Sequence, residues 1–565
     1  VQVAEQTIQL GATLTGERCL FRVWAPSRQS LTLRLNGTDH DMRRECEYFV
    51  VDLPARAGDR YQYMVDDLAV PDPVSRHLPE GVHGPTEIVD PHAFSWTDSG
   101  WRGLPLRDYL IYELHVGTFT PEGTFDAAIA KLPYLKQLGI TVIEVMPVSA
   151  FPGARNWGYD GVSPYAVQTT YGGPETFKSF IDAAHRSGLA VILDVVYNHL
   201  GNEGNYLRQF GPYFTPRHHT PWGDAIDYAQ RGVREYVVEN ALFWIREYHL
   251  DGLRLDAVQT IFDDSPRHIL AEIAESVHAL AREIGRNVVV IAESDENDSK
   301  LIRDYRLDAY WSDDLHHAIH ALLTGERNGY YQDFGAPEQI VRALNEGYVF
   351  QGEHFKFWDG PRGTPATDVP LPANVICIQN HDQIGNRAQG ERLTTLVSSA
   401  AARKAAAALL LLAPHTPLLF MGQEFDETNP FQFFTSYGDP VLKEAVRKGR
   451  REEFKAFDFG DVPDPEDEQT FLRSKLDWSK VRDDNAMLNW YQELIDLRKL
   501  YVTEAERRCR AELVDGVITM TVPAADANLL VQVNFSASTL PKVAGWKRVM
   551  YAADETAAVA VFVAA

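Results

Sequence analysis

Eight times between residues 110 and 421, a short unbroken apolar run is followed by a longer stretch of helical period, and this alternation constrains the fold more than any other feature. The runs are 110–115, 142–146, 190–196, 252–257, 288–292, 309–312, 375–379 and 418–421. Amphipathic segments such as 174–187, 232–248, 266–284 and 396–412 lie between them. A strand that is apolar on both faces must be covered on both faces, as in a parallel sheet wrapped by helices. Eight such units predict an α/β chain closed into a (β/α)8 TIM barrel. The rival, an open doubly wound sheet, would want a GxGxxG turn after a strand, and the sequence has none there.

The flanks change period. Before the barrel, residues 19–24, 30–35, 48–53 and 60–65 alternate apolar and polar side chains between Gly, Pro, Asn and Asp, which predicts a β-sandwich. A Pro- and His-rich connector, 71–91, is expected to pack on the barrel. After an acidic, Pro-containing loop at 461–469 and a helix at 486–500, the segments 513–522, 529–535, 548–552 and 557–563 return to strand character. The expected domains are an N-terminal β-sandwich over 1–90, the barrel with loop insertions over 91–504, and a C-terminal β domain over 505–565.

Composition narrows the partners. Asp and Glu outnumber Lys and Arg 79 to 54, a formal charge of −25. Such a field repels phosphate backbones and anionic lipid, so neither nucleic acid nor a membrane is expected as a partner. The longest strongly apolar run, 405–413, is far short of the about 20 residues a membrane span needs. No signal-peptide pattern opens the sequence, and a cytoplasmic protein is the expectation. Cys19, Cys46, Cys377 and Cys509 show no CxxC spacing, so buried free thiols are expected in place of a disulfide framework or zinc site. No nucleotide, flavin or haem motif appears, and no cofactor is expected.

In a barrel of this kind, reactive groups sit just past the carboxyl ends of the strands. Asp194 and Tyr197-Asn198-His199 stand at the third run, Arg254 and Asp256 in the fourth, Glu293 at the end of the fifth, and Asn380-His381-Asp382 after the seventh. Arg254 and Asp256 share one strand face, so the guanidinium can hold the carboxylate ionised. Taken alone they read sooner as a structural ion pair, and Asp194 reads as structural too. Glu293 is either a satisfied core carboxyl or an acid whose pKa is raised by burial for proton donation. Three carboxylates and two histidines converging on one rim favour chemistry.

The strings DVVYNH (194–199), GLRLDA (252–257), AES (292–294) and NHD (380–382) resemble, in order and in strand position, the four signature regions of the α-amylase superfamily, glycoside hydrolase family 13. The resemblance implies Asp256 as nucleophile, Glu293 as general acid/base and Asp382 as the carboxylate that binds ring hydroxyls and distorts the sugar. It implies further that His199 and His381 hydrogen-bond the sugar in the cleavage subsite. Tyr159 would lie beneath that sugar as an aromatic platform, a core tyrosine being the alternative. The roles are chemically coherent, because a retaining glycosidase needs a nucleophile and a protonated acid about 5–5.5 Å apart. Some amylases hold calcium through an Asn at the position of Asn198; no accompanying oxygen ligands are evident, and no metal requirement is expected.

After Asp256-Ala257 the common amylase pattern places a Lys-His pair where this sequence has Gln259-Thr260, which removes the usual contacts on the leaving-group side. The stretches 310–317, 329–334, 381–387 and 422–434 instead resemble the trehalose-releasing branch of the superfamily. That likeness implies hydrolysis of the α-1,4 bond next to the terminal trehalose of a maltooligosyltrehalose, after a synthase has made the α,α-1,1 end. Gln383, Trp222, Asp313 and Asp314 are candidates for the trehalose side by their place in strand–helix loops. Helix capping explains the two aspartates equally well, and loop packing explains Trp222. A glycogen or α-glucan branching enzyme is the nearest alternative, and a barrel that only binds glucan is a third.

Overall fold

The barrel closes through strands that are neighbours in both sequence and space. In a computed structural model that describes residues 9–220, 222–455, 462–502, 508–524 and 527–564, the parallel strands are Ile111–Leu114, Val142–Val145, Ala190–Val195, Gly252–Leu255, Val289–Glu293, Ala309–Ser312, Asn374–Ile376 and Thr416–Phe420. The last pairs with the first, Leu418 opposite Ile111. All eight expected runs are barrel strands, with shifted ends: Asp256 stands just past the fourth strand, and the seventh stops at Ile376.

The period of two along these strands builds the site. Ile111, Val142, Ile192, Ile291, Trp311 and Cys377 share one buried apolar cluster. Two residues further along the same faces come Glu113, Glu144, Asp194, Glu293, Asp313 and Gln379. An apolar plug thus gives way to a layer of five carboxyl groups and one amide at the rim.

The N-terminal region is the expected pair of sheets, one built on Arg18–Trp24 and Tyr48–Pro54, the other on Thr32–Leu35 and Arg60–Val65. The sequence reading misses the outer strands Thr38–Asp41 and Arg43–Glu45, whose mostly exposed side chains carry no apolar alternation. The connector does pack on the barrel: Tyr236 of the helix Arg231–Glu247 donates to the Pro73 carbonyl at 3.1 Å.

The C-terminal region is a five-stranded antiparallel sheet. The expected single strand over 513–522 is in fact a hairpin, Arg510–Val514 and Val517–Val522. Asp515 and Gly516 both take positive φ, 49° and 78°, the paired left-handed turn that an Asp-Gly dipeptide favours. The apolar run 405–413 belongs to the helix Ala400–Leu412 and its cap, and these residues are fully buried. That helix packs on Leu529–Asn534 and Ala558–Ala564 of the C-terminal sheet and on the helix Ala486–Leu497. Among the described residues, no helix is long and apolar enough to cross a membrane.

The four cysteines are free, but Cys46 is exposed in a turn at φ 54°, contrary to the expectation of buried thiols. Asp461, at the start of the expected acidic loop, and the expected boundary between 504 and 505 lie outside the described residues.

Candidate active site

Arg254 is the centre of the rim and is wholly buried. Its Nη1 donates to both oxygens of Asp194 (2.9 and 2.8 Å) and to Oδ1 of Asp256 (2.7 Å). Nη2 stands 3.6 Å from Oε2 of Glu293, and the guanidinium lies 4.2 Å from the centre of the Trp311 ring. An unpaired buried cation would cost several kcal/mol; here three carboxylates and a π-face share it. Asn198 steadies Asp256 from the other side, its Nδ2 donating to the Asp256 carbonyl (2.8 Å) and to Oδ2 (2.9 Å). The amide at the calcium-associated position of the resemblance is therefore engaged with Asp256.

Just past Asp256 the backbone turns sharply. Ala257 sits in the left-handed region at φ 40°, a conformation that costs a non-glycine residue about 1–2 kcal/mol. The turn aims the Ala257 N–H at Glu293 Oε2, 2.6 Å away. Oε1 of Glu293 has no hydrogen-bond partner among the described residues and is the oxygen left to carry a proton. Burial pushes the Glu293 pKa well above the ordinary range; Arg254 pulls it down, while Asp256 and Asp382 push it further up.

The other half of the rim is built on Glu113, which the sequence reading passed over. The His381 amide donates to Glu113 Oε2 at 3.0 Å, and the His381 Nδ1 meets Oε1 of the same carboxyl. His381 Nε2 lies 2.8 Å from the Tyr159 hydroxyl and 3.4 Å from Asp382, and the Tyr159 hydroxyl donates to Asp194 at 2.6 Å. His199 takes a different post, with Nε2 against the Tyr159 carbonyl at 2.9 Å and Trp222 stacked on its ring at 3.8 Å, 4° from parallel. Trp222 is thus placed over His199. Burial alone would lower the His381 pKa, but Asp382 and Glu113 outweigh it and lift the value to about 9. For His199 burial prevails and the value falls. Two histidines that read as a pair in sequence therefore have their pKa values shifted in opposite directions.

This difference has a measurable sign. His381 holds its proton more tightly in the fold than the ordinary 6.5, so its contribution to stability is complete below pH 6.5 and is lost as pH rises through about 9. Urea-unfolding midpoints should fall across that window. Glu113→Gln should lower the midpoint at pH 6 and flatten the fall; an unchanged slope would refute the Glu113–His381 pairing.

Beside Glu293 opens a cleft of about 180 Å3 lined by Gln259, Asp313, His317, Tyr330, Asp382 and Gln383. Phe357 and Trp358, 49% and 37% exposed, form its outer wall. They sit between the short strands Glu353–Phe355 and Gly360–Arg362, in a loop that no periodicity in the sequence announced. Asp313 precedes the helix Asp314–Thr324 but its side chain makes no capping bond, so capping does not explain it. Burial lifts its carboxyl to about 7. Asp314 is a correction: fully buried, it meets Arg362 Nη1 at 2.8 Å, Asn297 Nδ2 at 2.8 Å and the Val349 N–H at 2.7 Å. It anchors the 349–362 segment and does not line the cleft, because a buried carboxylate spends its oxygens on its nearest donors.

Comparison with known proteins bears out the family resemblance. The alpha-amylase catalytic-domain family model matches residues 89–224 and 213–505. The malto-oligosyltrehalose trehalohydrolase of Saccharolobus solfataricus is 46% identical over 514 residues, covering 89% of each chain. That of Deinococcus radiodurans is 46% identical over 506 residues, covering 87% of this chain and 83% of its own. The crystal structure of a Salmonella typhimurium protein assigned as an alpha amylase superposes with a TM-score of 0.91 at 42% identity, covering 98% of this chain and 99% of its own. The 1,4-alpha-glucan branching enzyme of Pseudoalteromonas atlantica is 33% identical over 276 residues, only 43% of this chain and 38% of its own. The chain belongs to the alpha-amylase family and, within it, to the malto-oligosyltrehalose trehalohydrolases.

Proposed function

We propose that the protein is a retaining glycosidase that hydrolyses the α-1,4 bond next to the terminal trehalose of a maltooligosyltrehalose, releasing trehalose and a shortened maltooligosaccharide. The observation that carries this reading is the convergence of Asp256, bonded to Arg254 Nη1, and Glu293, 3.6 Å from Nη2 of the same buried guanidinium, beside a cleft that Glu293 lines. Asp256 attacks the anomeric carbon while Glu293 passes its proton to the glycosidic oxygen, and trehalose leaves. Glu293, now a carboxylate, takes a proton from water, which attacks the same carbon and frees Asp256. Asp382 and the cationic His381 hold ring hydroxyls in the cleavage subsite, with Tyr159 beneath the ring and neutral His199 beside it. Gln383 and Asp313 meet the trehalose hydroxyls. Its substrate would come from a reaction that converts a reducing end into an α,α-1,1 linkage, and we place both steps in the cytoplasm.

The test is the ratio of kcat/KM for maltotriosyltrehalose and a plain maltooligosaccharide of equal length. Both present the same bond to Asp256 and Glu293, so discrimination must come from hydrogen bonds on the leaving side that strengthen in the transition state. One or two such bonds, at about 1.5–3 kcal/mol each, give a preference on the order of ten- to several-hundred-fold. Gln383→Ala should narrow the ratio and leave slow maltooligosaccharide hydrolysis largely intact. Equal kcat/KM values would return the chain to the amylases, and new α-1,6 linkages would mark a branching enzyme.

A further inference from the structure

Where the strand Gly11–Thr15, the connector and the helix Arg231–Glu247 meet, they leave a cavity of about 400 Å3 that shares no residue with the rim or its cleft. Its volume lies within the range of small-molecule sites, about 300–1,000 Å3. Trp96, Phe94 and Phe243 form its aromatic wall. Trp96 is stacked on His249 with centroids 3.9 Å apart and planes 17° from parallel, and His249 is in turn bonded to Asp98 at 2.9 Å. The indole is therefore fixed before any ligand arrives.

The polar wall is Arg76, Glu239, Arg246 and Glu247. The lining therefore carries two cations and two carboxylates, donors and acceptors of both signs. Arg76 and Glu247 are already paired: Arg76 Nη1 stands 3.4 Å from Glu247 Oε2, and Lys178 Nζ stands 3.6 Å from Glu247 Oε1. Arg246 and Glu239, one cation and one carboxylate, form neither an ion pair nor a hydrogen bond among the described residues. Fixed aromatic faces beside donors and acceptors of both signs suit a neutral polyhydroxylated ligand: the C–H faces of a sugar lie on the rings, and its hydroxyls bridge guanidinium and carboxylate.

We propose that this cavity is a second, non-catalytic binding site for α-1,4-glucan, the choice of glucan resting on the activity proposed above. The site would hold a chain to the protein while the rim processes an end. Calorimetric titration of Asp256→Ala protein with maltoheptaose should count two molecules per chain. Adding Trp96→Ala, or Arg246→Ala at an exposed position that leaves the fold undisturbed, should reduce the count to one, with affinity at the lost site at least tenfold weaker. In the otherwise unaltered enzyme, neither substitution should change kcat/KM on maltotriosyltrehalose by more than twofold. A count of one in Asp256→Ala protein, or two surviving both substitutions, would overturn the proposal. Failure of the trehalohydrolase reading would appear separately, in the substrate ratio.

Discussion

Asp256→Ala should lower kcat on maltotriosyltrehalose by about ten-thousand-fold or more, equivalent to roughly 5.5 kcal/mol of transition-state stabilisation. The carboxylate has no substitute: Asp194 is spent on Arg254 and the Tyr159 hydroxyl, and Glu293 is engaged by the Ala257 amide. The fold should survive, because Arg254 keeps its two bonds to Asp194 and its place over Trp311. Steady-state kinetics beside a circular dichroism spectrum check both halves. A folded variant with near-normal turnover would remove Asp256 from the role of nucleophile.

Glu293→Gln should be nearly as damaging on natural glucans, since a positioned acid contributes on the order of 10²–10⁴ in rate. The loss should depend on the leaving group. Glycosyl fluorides need little protonation, so the first step should proceed and a glycosyl adduct should accumulate on Asp256, visible by mass spectrometry. The pH profile carries the sign. A carboxyl whose pKa is raised by burial stays protonated above the usual glutamate range, so Glu293 contributes to the alkaline limb of kcat/KM on glucans, beside the loss of the His381 proton at about 9. The Glu293 contribution should vanish in Glu293→Gln assayed with the fluoride. An adduct mapped to Glu293 in the active enzyme would reverse the two assignments.

Both variants rest on residues legible from sequence, and for a specific reason. A barrel strand must alternate its faces, so an ionisable residue two positions beyond an inward apolar one is forced into the rim; Asp194 and Glu293 satisfy that rule beside Ile192 and Ile291. The same rule would have found Glu113 beyond Ile111, which lay outside the recognised strings. What the period could not supply was partnership. Asp313 and Asp314 are adjacent, yet one lines the cleft and the other is consumed by Arg362 and Asn297, a difference set by a loop more than thirty residues away. The opposite pKa shifts of His199 and His381 likewise depend on burial at the first and, at the second, on Asp382 next door together with Glu113, distant in sequence. Thr38–Asp41 and Arg43–Glu45 escaped because exposed strands need no apolar alternation, and the Asp515-Gly516 turn escaped because apolar residues on both sides masked it.

The helix Ala400–Leu412 ties the barrel to a sheet made much later in synthesis. Its fully buried face is covered in part by Ala558–Ala564, a strand that pairs with Leu529–Asn534 and Trp546–Ala553 on its two sides. At ordinary translation rates the wait between the two segments is on the order of ten seconds. Late in that interval a nascent chain with all eight barrel strands already made still lacks the strand that covers this Ala-Leu surface. The barrel is complete in topology before it is complete in solvent, so holding the nascent chain in solution falls to whatever shields that one helix.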